Sequence, residues 1–152
     1  MTVDPKMARL MDAVQQLQSG DVQGAKRRLE ALWAEGEADP DPLHQCSLAH
    51  FLADAQDHVA DELRWDLRAL EAAGKVTQER VLAFDATLSL KDFYPSLYLN
   101  VADAYFRLGD RDNAQCYLTM GLDYLAGFPE NGYGAMIRGG YDRLAANLAQ
   151  GR

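Results

Sequence analysis

The chain has 152 residues, 15 basic and 23 acidic side chains and a formal net charge of −8 at pH 7. This length fits one domain that buries about 70% of its unfolded surface without a disulfide or metal staple, and the charge argues against nucleic acid or an anionic membrane as a partner. Cys46 and Cys116 lie far apart with no CxxC pattern, no run of 18 apolar residues occurs, and no basic start leads into an apolar stretch, so reduced thiols and a cytoplasmic protein without a leader or membrane span are expected.

Proline and glycine punctuate the elements in chain order. Pro5, Pro40, Pro42, Pro95 and Pro129 fall at or near expected helix boundaries, where a fixed φ and a missing N–H do no harm. From Pro5 to Gln18 the apolar set Met7, Leu10, Met11, Val14 and Leu17 forms one helical stripe. Ser19-Gly20-Asp21 ends that helix, and Asp21 is placed to cap a second one carrying Val22, Ala25, Leu29, Leu32 and Trp33. These make a pair over about 5–35, followed by an acidic, Pro-rich connection from Gly36 to Asp41.

A second pair is expected over about 42–73. Leu43, Leu48, Phe51 and Leu52 mark its first helix; Asp57 is placed to cap its second, which carries Val59, Leu63, Leu67 and Leu70 before Gly74. An inserted segment, 76–94, holds a shorter helix capped by Thr77, with Val81, Leu82, Phe84 and Leu88 apolar. A third pair over about 95–127 carries Leu97, Tyr98, Val101, Tyr105 and Leu108, then Ala114, Tyr117, Leu118, Leu122 and Leu125 beyond Asp110. A final amphipathic helix over about 134–149, with Ile137, Tyr141, Leu144 and Leu148, completes an all-α chain that needs no strand.

The third pair carries a family pattern. Tyr98, Val101, Ala102 and Tyr105 stand at the spacing of large, aliphatic, small and aromatic positions, followed by Gly109, Ala114 and Leu118. In these residues the chain resembles tetratricopeptide-repeat proteins, whose unit of about 34 residues is two antiparallel helices joined at a Gly-Asp turn. The first pair follows the pattern from Gly20 through Ala25 and Leu29; in the second, Asp57 and Trp65 fit, while Gln56 stands in place of the glycine and Asp61 in place of the small residue. The resemblance covers roughly residues 7–126 and implies a right-handed superhelix of antiparallel pairs, closed by the C-terminal helix as a cap. It also implies a concave face, lined by the first helix of each pair, that grips an extended peptide or a partner helix.

Two polar sets are candidates for chemistry. Cys46, His50 and Asp54, at i, i+4 and i+8, share a helix face and offer sulfur, imidazole and carboxylate to a soft metal, although no HExxH or paired CxxC accompanies them. Asn100, Asp103 and Arg107, with Ser96, recur on a flank of the third pair's first helix distinct from the Tyr98, Val101 and Tyr105 stripe. By the resemblance this flank is concave and comparable to that of His50 and Asp54, so the sets are expected to line one groove suited to a basic or hydrogen-bond-rich peptide. The plainer reading is a solvated helix flank. Glycines 132, 134, 139 and 140 each cost about 1 kcal/mol in a helix relative to alanine, which points to close backbone packing, or to a ligand-facing loop in which Tyr133 and Arg138 complete the groove.

The sequence thus reads as one TPR-like helical domain over 1–152, a non-enzymatic adaptor that takes a protein or peptide and needs no cofactor. The binding residues expected are His50, Asp54, Asn100, Asp103 and Arg107, with Tyr133 and Arg138 outermost. Two alternatives stand beside it: a small-molecule or metal site at Cys46, His50 and Asp54, and a homodimer built on an uncapped helix face.

Overall fold

In the computed structural model, which describes residues 4–150, eight α-helices and one short 3₁₀ turn follow one another without a strand among the described residues. The helices pack mainly on their sequence neighbours, so the expected all-α, repeat-like arrangement is present. The chain divides into two compact units, the first ending at Leu90 and the second beginning at Lys91.

The first unit contains α1 (Pro5–Gln18), α2 (Val22–Glu35), α3 (Pro42–Asp54), α4 (Val59–Ala73) and α5 (Gln78–Phe84). Each start except that of α4 is fixed by a side-chain oxygen that accepts an otherwise unpaired helix N–H: Asp4 from Met7, Asp21 from Gly24, Asp41 from Leu43 and Thr77 from Arg80. At α4 the cap position is His58 and not the expected Asp57, and it makes no side-chain cap bond; Asp61 and Glu62 in the first turn complement the helix dipole instead. Met7, Leu10, Ala13 and Val14 of α1 meet Leu29 and Leu32 of α2 and Leu48 and Leu52 of α3, with Trp33, Phe51, Trp65 and Phe84 packed around them. Burying each leucine contributes about 1.5–3 kcal/mol. Ala49 and Ala53 on α3 and Ala69, Ala72 and Ala73 on α4 are buried, and such small side chains let these two helices pack most extensively of all. The 76–94 segment supplies α5, capped by Thr77 as expected, but Leu82 is exposed and Leu88 lies beyond the helix end.

The second unit contains α6 (Tyr94–Arg107), α7 (Arg111–Leu122) and α8 (Gly132–Ala149). Gly109 turns between α6 and α7 with φ of 84°, a conformation that a Cβ would penalise, and Asp110 then caps α7 through the Asn113 N–H. α8 lies on both preceding helices, and its core contribution is Ile137, Tyr141 and Leu144 against Ala102, Leu118 and Phe128. Tyr141 is 1% exposed and donates its hydroxyl to the Pro95 carbonyl at 2.6 Å. Gly121 makes the space: a Cβ there would collide with the Tyr141 ring and with Tyr98 Cβ. The glycine-rich stretch lies inside α8, which begins at Gly132, and close packing accounts for two of its glycines. A Cβ at Gly134 would strike the Pro129 carbonyl, and one at Gly140 would lie 2.6 Å from Leu99 Cδ2.

Candidate functional site

The polar flank of α6 faces α8 across an open groove. Asn100 and Asp103 line it from α6 and Arg143 and Asn147 from α8, above a floor of Leu99, Gly140 and Leu144. The groove exists at this depth because Gly140 lets the α8 backbone settle on Leu99. Arg107, one turn beyond Asp103, donates from Nε to the Asp103 carboxylate at 2.8 Å. The Asn100 and Asn147 side-chain amides and the Arg143 guanidinium form no hydrogen bond or ion pair among the described residues. They are donors and acceptors on the helix surface, Arg143 and Asn147 exposed and Asn100 half-buried.

Tyr133 and Arg138 do not line this groove. Arg138 donates to the carbonyls of Leu125, Phe128 and Pro129 at 3.2, 2.7 and 3.0 Å and lies over the Phe128 ring. It therefore holds the loop after α7 onto α8, while Tyr133 is half exposed beside the same Phe128.

His50 and Asp54 belong to α3, in the first unit, whereas Asn100, Asp103 and Arg107 belong to the second. Side chains spaced i, i+4 and i+8 drift by about 40° per step around an α-helix, and this drift separates the expected trio. Cys46 turns into the core, 4% exposed, and burial pushes its thiol up to about 12, so it holds its proton at neutral pH. His50 is half-buried with Nδ1 unpartnered and its ring edge-on to Phe51 at 4.9 Å. Burial lowers its proton affinity against the pull of Asp54. Asp54 is exposed as a residue, yet loss of water around its carboxyl raises that group, with His50 opposing and Glu62 adding to the shift. No group of three or more histidine, cysteine or acidic side chains among the described residues is arranged to hold a metal ion.

Two constellations escaped the sequence reading. In the first unit, Arg80 of α5 donates to Asp41 and to Asp4, both at 3.0 Å, and His44 Nε2 lies 2.8 Å from the same Asp4 oxygen. The caps of α1 and α3 are thereby clasped to α5. Burial works to raise the Asp4 carboxyl, but hydrogen bonds from His44, the Met7 N–H and Arg80 outweigh it and bring it to about 2. The Asp-Pro pairs that open α1 and α3 signal the caps, but nothing local signals a clasp across 76 residues.

In the second unit, Tyr94, Tyr98 and Tyr105 of α6 pair with Tyr117 of α7 and Tyr124 beyond its end. Ring centroids are 4.8 Å apart for Tyr94 and Tyr124, 5.7 Å for Tyr98 and Tyr124 and 5.5 Å for Tyr105 and Tyr117. All five tyrosines are half-buried; Tyr94, Tyr98 and Tyr124 stack together, as do Tyr105 and Tyr117, and a tilted Tyr98–Tyr117 contact at 6.3 Å joins the two sets into one row.

Compared with protein families, curated proteins and solved structures, the chain finds no match in any of the three.

Proposed function

We propose that this protein is a non-enzymatic binding module, a cytoplasmic adaptor of the tetratricopeptide-repeat kind, that holds a protein or peptide segment in the groove between α6 and α8. One observation carries the reading: Asn100, Asn147 and Arg143 line an open groove with Leu99 and Leu144, and their side chains make no hydrogen bond or ion pair among the described residues. Amides offering both a donor and an acceptor suit the backbone of an extended segment, and an apolar floor suits its side chains. His50 and Asp54 are left out of this assignment because they belong to the first unit and the groove to the second.

The test is comparative capture. Asn100→Ala with Asp103→Ala is expected to abolish the partner recovered from lysate by the wild-type chain, while stability changes by no more than about 0.5 kcal/mol, as for surface positions generally. Unaltered capture by the double variant would refute the assignment.

A further inference from the structure

We infer that the tyrosine row is a site of oxidative modification, at which a haem peroxidase with hydrogen peroxide joins Tyr94 to Tyr124 by a carbon–carbon bond between their rings. The row lies where α6 meets α7 and stands apart from the groove lined by Asn100 and Asp103. Both tryptophans belong to the first unit and all seven tyrosines to the second, so phenols are the oxidisable rings there.

Tyr94, Tyr98 and Tyr124 form the tight end of the row. The Tyr94 and Tyr124 rings are 4.8 Å apart and 21° from parallel, and Tyr98 lies 5.8 Å from the first and 5.7 Å from the second. A phenoxyl radical formed on any of the three therefore has two phenols beside it. Tyr98 continues to Tyr117 at 6.3 Å, and Tyr117 to Tyr105 at 5.5 Å. An electron and a proton passed between like phenols leave the energy nearly unchanged, so a radical made at the Tyr105 end migrates to the trio. Rings already in contact couple without a diffusional encounter, the advantage that proximity gives any reaction of two groups.

Backbone position selects the pair. Coupling requires stacked rings to turn edge to edge. Tyr98, Tyr105 and Tyr117 sit inside helices, where the preceding turn restricts χ1. Tyr94 opens α6, and Tyr124 follows Asp123, the residue that ends α7. Half-burial of the row lets electrons leave through its edge but hinders ring coupling between two molecules, a protection that the half-exposed Tyr133 lacks.

The chemistry balances within the pair and the oxidant. Each phenol gives up one electron and its hydroxyl proton. The two radicals join at the ring carbons adjacent to the oxygen-bearing carbons, and the hydrogen on each joined carbon returns to the oxygen of its own ring. Two electrons and two protons reduce one hydrogen peroxide to two waters at the peroxidase haem. The chain loses two hydrogen atoms, and the start of α6 is tied to the end of α7.

The test treats the full chain with a haem peroxidase and limiting hydrogen peroxide, then isolates the monomer by size exclusion. That monomer is expected to show dityrosine emission, to have lost the mass of two hydrogens and to yield, on proteolysis, a cross-linked peptide pair holding Tyr94 and Tyr124. Tyr124→Phe keeps the ring packing and should abolish this link, whereas Tyr133→Phe and Tyr105→Phe should leave it. A link between any other pair in the monomer, or one that persists in Tyr124→Phe, would overturn the assignment. Emission confined to cross-linked dimers would overturn it in favour of coupling by exposure alone, and so would a folded chain that gains no link.

Discussion

The two units use polar side chains in opposite ways. In the first, Asp4, Asp41, His44 and Arg80 satisfy one another and tie three helix starts together. In the second, Arg111 and Arg138 bind carbonyls near the ends of α8 and α7, but the flanks of α6 and α8 keep two amides and a guanidinium open. A polar cluster that closes on itself fixes a fold; one that rigid helices hold apart is available to a partner. The aromatic residues divide the same way. Trp33 and Trp65 both lie in the first unit and all seven tyrosines in the second, so fluorescence of one kind and absorbance of the other follow the two units separately.

That optical separation makes the comparison breakable. Leu10 is fully buried, and Leu10→Ala should cost about 2–5 kcal/mol, seen as a lower urea midpoint of tryptophan fluorescence. A loss under 1 kcal/mol (about a third of the expected middle value) would mean that the first core tolerates a cavity. In the second unit, Gly121→Val should cost about 1–3 kcal/mol in tyrosine-detected unfolding, because the new methyl groups displace Tyr141 from Pro95. An unshifted midpoint would show that this contact is loose.

The clasp gives a smaller and pH-dependent effect. The Asp4 carboxyl titrates at about 2 in the fold against an ordinary 3.8, so its stabilisation is complete above the ordinary value and is lost as pH falls toward the folded one. Replacing Arg80 with methionine should remove about 1 kcal/mol at pH 7 and flatten the acid dependence of the tryptophan-detected midpoint over that window. An acid limb as steep in the variant as in the wild type would assign it to other carboxylates.

Legibility followed the range of the interactions involved. Caps and breaks act over three or four residues, so the proline starts of α1 and α3, the Gly109-Asp110 turn and the Thr77 cap were readable from spacing alone, while the Asp4 and Asp41 caps beside those prolines were not read. Asn100 and Asp103 could be placed on a polar flank for the same reason. Their neighbours Arg143 and Asn147 could not, because α8 reaches them only through a packing contact between Gly140 and Leu99. Arg138 invited a ligand role by its chemistry, yet the carbonyls it binds become neighbours only after the loop following α7 folds back. The Cys46, His50 and Asp54 pattern shows the limit of i, i+4 reasoning, since a second step of four carries the residue off the shared face.

The stacked tyrosine row has a consequence at the alkaline end. Burial raises the phenols of Tyr98, Tyr105 and Tyr141 above their ordinary value of 10.0, with neighbouring tyrosines adding to the shift. Once the chain unfolds, those rings shed their protons more readily, so base draws the second unit toward the open state as pH rises past the ordinary phenol range. Ionisation followed at 295 nm should then show Tyr98, Tyr105 and Tyr141 releasing their protons together with the opening of the unit. The row that stiffens α6 against α7 thus doubles as an alkaline fuse.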